Sequence, residues 1–421
     1  MSAGVLCAVR GAAESVVVQA LDANPQLQVT RRCADVTELL AAAEAGLGRV
    51  AVASGDLEHL DREAVDALHA AGVLLVGLAA ADAPWSSERL RGAGADDVVA
   101  EPDDDTGAEA VLAAVLRALA ATPAAREPVA PPPASRPSAQ GRVVAVWGPT
   151  GAPGRTTVAV NAAAELAATG ASVLLADADT YGGSVAQVVG LLDEAPGLAA
   201  AVRQAGLGLL DVTTLARLAP VLAPDLRILS GTSRADRWPE LSSSALETVW
   251  RVARDLARWT VVDVGFCLEQ DELLSYDTRA PQRNAAAVRT LETADVVVVV
   301  GAGDPVGIQR LVRGLTELTD LGLGATRLVV VNRVRASVAG PRPADAVAQA
   351  LARYAGVVDA VLVPEDRAAT DTALLEARTL REVAPGSPAR RAIAEAASRV
   401  AALAGAPTVP PDLAAVVAGE R

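Results

Sequence analysis

The stretch Val143 to Thr157, VVAVWGPTGAPGRTT, has the residue types to hold a phosphate. An apolar run ends at Trp147, a Gly/Pro/Thr loop follows, and VAVNAAAELAAT beyond it has helix-forming composition. Strand, glycine loop and helix in that order wrap backbone N–H groups around a phosphate and aim a helix N-terminus at it. The phosphate-cradling pattern G-x-x-x-x-G-K-[ST] is met in part. Gly154, Arg155 and Thr156 fill its last three places, with Arg for Lys, and Pro149 stands where its first Gly belongs. Further polar residues close other strand-like runs. VLLADAD ends in Asp177 and Asp179, WTVVDVG in Asp263 and Gly265, LVVVNR in Asn332 and Arg333, and VLVPED carries Pro364. Open parallel α/β sheets bind ligands outside the C-terminal ends of their strands, where all of these would lie.

The elements that must position them are legible. From Arg142 onward, strands are expected at 143–147, 173–176, 226–230, 259–264, 295–300, 327–331 and 357–363, with helices between. VVDV and DVVVVV are nearly all apolar, as strands covered on both faces require. Ser244 to Glu247 reads as an S-x-x-E capping box opening a helix with Leu246, Val249, Trp250 and Ala253 on one face. Before residue 121, strand-like segments Val5–Val9, Leu27–Arg31, Val50–Ala53, Val73–Leu78 and Asp97–Ala100 alternate with Ala-rich amphipathic stretches such as Val36–Ala45, Arg62–Ala71 and Ala108–Ala121. Five βα units predict a doubly wound parallel sheet. Between the two halves, TPAAREPVAPPPASRPSAQG has too little apolar content for a core and reads as an extended tether. The expected plan is α/β throughout: a doubly wound domain over 1–121, a Pro/Ala-rich linker over 122–141, a larger mostly parallel sheet with helices on both faces over 142–405, and a tail over 406–421.

Composition narrows the function. Hydrophobic residues make up 51% and aromatics 2%, so the core is built from Ala, Val and Leu. All 37 basic residues are Arg, which leaves two readings of Arg155, drift in a chain that avoids Lys or a lost activity. A net charge of −14 argues against a broad nucleic-acid surface, though Arg390-Arg391 and the arginines between 327 and 342 are candidates for a local patch. Cys7, Cys33 and Cys267 are scattered and predict buried thiols in a reduced, cytoplasmic chain rather than a metal or disulfide site. His59 and His69 are the only histidines, which excludes a His-based site beyond the first third. No segment reads as a signal peptide, and no apolar run approaches the roughly 20 residues of a membrane span. The end, PTVPPDLAAVVAGER, is short, Pro-broken and not basic, unlike a helix that lies on a membrane.

With these pieces in order, residues 142–405 resemble the MinD/ParA family of deviant Walker-A ATPases. The most specific pieces are the A-D-A-D strand end, the Walker-B-like Asp263 strand and the N-R pair at Asn332 and Arg333. The first half resembles a response-regulator receiver domain, and the two-part plan resembles the CpaE/TadZ branch, associated with Flp/Tad pilus assembly and including actinobacterial proteins called septum-site-determining. The resemblance implies ATP and Mg²⁺ as cofactors. Gly151, Ala152, Pro153, Gly154, Arg155, Thr156 and Thr157 would wrap the phosphates, Asn332 would recognise adenine, Pro364 would line that pocket, and Arg333 is a further nucleotide-binding candidate. Thr156 would ligate Mg²⁺ and Asp263 would hold it through water. Asp177 and Asp179 would sit on the first switch near the metal, with Asp179 positioning the attacking water. Asp179 and Asp263 are thus the catalytic candidates. The chain departs from the family loop at Thr150, where a signature Lys reaches the partner subunit's nucleotide, at Ala152 in place of a Gly, and at Arg155. Backbone donors survive these changes, but hydrolysis needs placed charge, so weak or no turnover is expected.

In the receiver-like half, the third strand ends in Ser54 with Asp56 two places on as the only phosphoacceptor candidate. Arg10-Gly11 stands where an acidic pair belongs and Glu101 where a Lys belongs. Without the acidic pair no Mg²⁺ is held there, and a docking role is expected. The leading function is a nucleotide-gated homodimeric positioning or assembly factor, recruited to pole or septum by protein partners of a pilus, secretion or division complex, with no membrane helix of its own. The alternatives are a nucleotide-independent scaffold that keeps only the fold and a DNA-partitioning ATPase, the latter disfavoured by charge. A tyrosine-kinase reading fails because no Tyr follows Tyr354. A metabolic P-loop ligase has little use for a tethered docking domain.

Overall fold

Runs of β-branched residues alternate with Ala-rich segments along the whole chain, and most of these runs become parallel strands. The computed structural model describes residues 2–57, 60–80, 85–120, 141–151, 153–191, 196–232, 234–270, 282–324 and 326–405. It divides into two compact units, Met1–Ser138 with Arg203–Leu210, and Ala139–Val202 with Asp211–Arg421. Residues 122–140 of the expected linker, the tail 406–421 and Ala152 of the glycine loop lie outside the described residues.

In the first unit, β1 (Ala3–Ala8), β2 (Leu27–Arg32), β3 (Val50–Ser54), β4 (Leu74–Ala79) and β5 (Asp97–Ala100) form one parallel sheet in the order β2-β1-β3-β4-β5. This is the doubly wound order of flavodoxin-like folds. Period-two alternation divides each strand between two cores. Leu6, Ala8, Ala51 and Ala53 face helices Val36–Glu44 and Arg62–Ala70, while Val5, Cys7, Val50 and Val52 pack with Val17, Leu21, Val111 and Val115 on the opposite side. Burial raises the Cys7 and Cys33 thiols to about 11, so both stay protonated packing groups.

The second unit holds β6 (Arg142–Trp147), β7 (Val173–Ala178), β8 (Val221–Ala223), β9 (Leu226–Leu229), β10 (Trp259–Val264), β11 (Val296–Ala302), β12 (Arg327–Val334) and β13 (Val361–Pro364). Their order is β13-β12-β11-β6-β10-β7-β9-β8, and every pairing is parallel except β8 with β9. The glycine-loop strand β6 is therefore interior, buried from Val143 to Trp147 between β10 and β11. Helices Arg155–Ala167 and Pro388–Gly405 cover one face, where Val158, Ala163, Ile393 and Val400 meet Val144, Val146 and Val298. Helices Ser243–Leu256 and Ala285–Thr293 cover the other, joined by a hydrogen bond from Trp250 Nε1 to Thr290 Oγ1 at 3.2 Å.

Two local expectations are corrected. The apolar stripe Leu246, Val249, Trp250, Ala253 is buried as expected, but its helix begins two residues earlier, with Ser242 rather than Ser244 as N-cap, and no capping box forms. Arg289 of the neighbouring helix takes the polar groups instead, donating to Ser243 Oγ at 2.9 Å and standing 3.7 Å from Glu247. A capping box does form at Thr379 and Glu382. The last strand starts at Val361 rather than 357, because Gly356 caps the preceding helix in a left-handed conformation and Val357 N–H bonds back to Leu351 O.

Candidate nucleotide site

Strand register assembles the acids. Asp263 on β10 lies level with Asp177 on β7 and with Val146 on β6, all at the C-terminal ends of parallel strands. Asp263 is fully buried. Its Oδ2 accepts the hydroxyl of Thr156 at 2.5 Å, and its Oδ1 is buried with no partner. Desolvation, reinforced by the neighbouring Asp177 carboxylate, holds its carboxyl well above the usual range.

Asp177 is arranged differently. Its two oxygens accept from the backbone N–H groups of Asp179, at 3.1 Å, and Val185, at 3.0 Å, so it organises the segment after β7. Burial pushes its pKa to about 6 against those hydrogen bonds. Asp179 follows on that segment. Its Oδ1 accepts from the N–H groups of Tyr181 and Gly182, and its Oδ2 receives Arg155 Nη2 at 3.0 Å.

Arg155 opens the helix after the loop, yet its side chain turns inward. Nη1 donates to Gly148 O at 3.1 Å, Nη2 pairs with Asp179, and Nε is buried without a partner. The loop is held from both limbs. Gly151 and Gly154 have φ of 105° and 94°, which side chains other than glycine rarely adopt. A methyl at Gly154 would also collide with Asn332 Nδ2, which donates to Pro153 O at 2.9 Å. Asn332 Oδ1 accepts from Arg333 N–H at 2.9 Å, and Arg333 itself has a φ of 59°. Gly154 is the N-cap of helix Arg155–Ala167 and no side chain caps it. The first N–H groups of that helix therefore have neither an intrahelical nor a side-chain partner.

The structure brings Thr157, Asn332, Arg333 and Pro364 together around one cavity of about 430 Å³, with Glu365 and Asp366 on its rim. It joins Thr156 to Asp263 and Arg155 to Asp179, while the carboxylate of Asp177, level with Asp263, is spent on the backbone of the segment after β7. The residues fit Mg²⁺ and phosphate. A hydroxyl and a carboxylate with one unpartnered oxygen are the oxygen donors this cation takes when phosphate and water complete its shell. Uncapped helix N–H groups beside an arginine suit an anion. Among the described residues no group of three or more His, Cys, Asp or Glu is poised around a metal.

Asp56 lies apart, exposed two residues beyond β3. The neighbouring Ser54 is buried, and its hydroxyl accepts from Arg10 N–H at 3.0 Å, closing the crevice between β1 and β3. Several arginines of the suggested basic patch have partners of their own. Arg390 forks onto Glu165 at 2.6 Å, Arg327 donates to Gly324 O at 2.6 Å, and Arg335 and Arg342 pair with Glu365 and Asp345.

Sequence reading missed a second tier. Arg283 stacks 3.8 Å from the Tyr181 ring and donates to Thr180 Oγ1 at 2.8 Å. Tyr181 donates to Asn284 Oδ1 at 2.7 Å and packs on Phe266. These contacts clamp the segment after Asp179 to that after Asp263. Their separations of about a hundred residues carry no pattern that could have announced them.

No family model and no curated protein matches the chain, but solved structures do. A ParA family ATPase from Chlorobium tepidum TLS superposes with a TM-score of 0.51 at 18% identity, over 61% of this chain and 98% of its own. The chain carries the fold of a ParA family ATPase. The cell division ATPase MinD of Pyrococcus furiosus has a TM-score of 0.49 at 18% identity, over 62% of this chain and 99% of its own. The septum site-determining protein MinD of Pyrococcus horikoshii OT3, solved with Mg-ADP, has 0.49 at 19%, over 63% and 98%. Among the described residues no helix is long and apolar enough to cross a membrane.

Proposed function

We propose that the chain is a nucleotide-gated positioning factor that binds Mg-ATP at the loop Gly148–Thr157 and self-associates in response. The observation that carries this is the Thr156 hydroxyl seated on buried Asp263, whose second oxygen has no partner, directly beneath an uncapped helix N-terminus. Bound Mg²⁺ supplies positive charge to the phosphates. Thr156 and Asp263 would hold it, loop N–H groups would orient the phosphates, and Asn332, Arg333 and Pro364 would border the base. By the family resemblance Asp179 would orient the attacking water, but its Oδ2 is held by Arg155, so turnover is slow or absent. By resemblance to the CpaE/TadZ branch, the homodimer serves a pilus, secretion or division complex, and the receiver-like first unit docks it at pole or septum.

One observation favours a scaffold instead. Arg155, the cation of the loop, is already neutralised by Asp179 and tied to Gly148 O. Light scattering of the full chain separates the readings. A mass that doubles with Mg-ATP, not with Mg-ADP, and fails to double in Asp263→Ala supports the switch. A mass unchanged by either nucleotide overturns it.

A further inference from the structure

We infer that Arg310, from helix Pro305–Asp320, is the cation for the outermost phosphate in this site, an assignment that rests on the nucleotide-binding reading above. The helix lies alongside the loop on a defined face. A methyl placed at Gly314 would touch Trp147 at 3.0 Å and Pro149 at 3.5 Å, so the helix seats closely on the entry to the loop. Residues four apart share a helix face, and Arg310, one turn before Gly314, reaches the loop itself. Its guanidinium fills the space a side chain at Gly151 would need, with Nη1 against the glycine, while Gly151 holds its left-handed φ.

Arg310 is exposed and makes no hydrogen bond or ion pair among the described residues. Arg155 differs, because both its terminal nitrogens are engaged. Among the described residues, an uncommitted positive charge at Gly151 therefore comes from a helix distant in sequence, beside Thr150, which carries no charge, while Arg333, whose side chain is likewise unpaired, lines the cavity at Asn332. The two limbs differ in what they meet. Gly154 abuts Asn332, which lines the 430 Å³ cavity, whereas Gly151 abuts Arg310, which does not line it. A nucleotide whose base enters that cavity extends its last phosphate toward Arg310. A planar guanidinium there forms charge-assisted, forked hydrogen bonds to phosphate oxygens.

The test is calorimetric titration of the full chain with Mg-ATP, Mg-ADP and inorganic tripolyphosphate, repeated on Arg310→Ala, Arg310→Lys and Arg313→Ala. Arg313 is exposed on the same helix and serves as a control for net charge. Arg310→Ala is expected to weaken ATP and tripolyphosphate about tenfold, as loss of one charged hydrogen-bonding partner does, and ADP less than threefold. Arg310→Lys recovers part of the loss, and Arg313→Ala binds as wild type. Equal ATP affinity in wild type and Arg310→Ala, or equal losses for ATP and ADP, overturns the assignment while leaving nucleotide binding intact. A wild-type chain that binds none of the three overturns both.

Discussion

Asp263 and Asp177 sit level on adjacent strands, yet the structure uses them differently. Asp263 keeps one oxygen unpartnered at the cost of full burial, which a residue chosen for stability alone would not do. Asp263→Asn is therefore expected to leave the thermal midpoint within about 4 °C of wild type while abolishing Mg²⁺-dependent nucleotide binding; a large loss of stability would contradict the assignment. Asp177 makes a pH prediction. Its pKa is about 6 folded against 3.8 as the ordinary value. Between those values the folded chain holds a proton the unfolded chain has released, so the contribution of Asp177 to stability falls as pH rises from 3.8 to about 6. Asp177→Asn should gain on wild type as pH is raised from about 4.5 to about 7, read from urea midpoints. A gap that does not change with pH refutes it. Its lost hydrogen bond shifts the gap equally at both values.

The helix Arg155–Ala167 is the element on which the site depends, and a buried ion pair anchors its far half. Glu165 accepts a fork from Arg390 and a further bond from Arg381, and Asn161 Oδ1 accepts from Leu380 N–H at 2.7 Å. Arg390→Ala leaves the Glu165 charge buried with one partner and is expected to cost about 3 kcal/mol in chemical unfolding, with Glu165→Gln/Arg390→Leu recovering most of it. A cost below about 1 kcal/mol would show the pair to be solvent-screened. At this scale the sequence was easiest to read where packing dominates. The Val-rich runs of β6, β10 and β11 are buried on both faces and announce themselves. The edge strand β8 is three residues long with Val221 exposed, so nothing in its pattern marked it. The Ser244 box failed because the helix starts at Ser243 with Ser242 as N-cap, which puts Ser244 inside the first turn, and Arg289 of another helix takes the Ser243 hydroxyl, a partner that local patterns do not contain. The inward turn of Arg155 and the reach of Arg310 were hidden for the same reason.

At the scale of the whole molecule, two parallel sheets of different topology are joined through a segment whose composition cannot build a core. If 122–141 is a tether, brief trypsin digestion should cut first after Arg126, because Arg136 is followed by Pro137, and should leave two protease-resistant fragments. Early cleavage inside either sheet would contradict that plan. The strand ends that gather Asp177, Asp263 and Asn332 all belong to the second sheet, and the proposed function assigns nucleotide binding to that unit and docking to the first. The most direct measurement is calorimetric titration of the full chain with Mg-ATP beside Arg155→Ala and Asp263→Ala. Micromolar binding in wild type that is lost in Asp263→Ala and weakened in Arg155→Ala is the predicted result. No heat at millimolar Mg-ATP would contradict the account and leave the loop a relic of the fold.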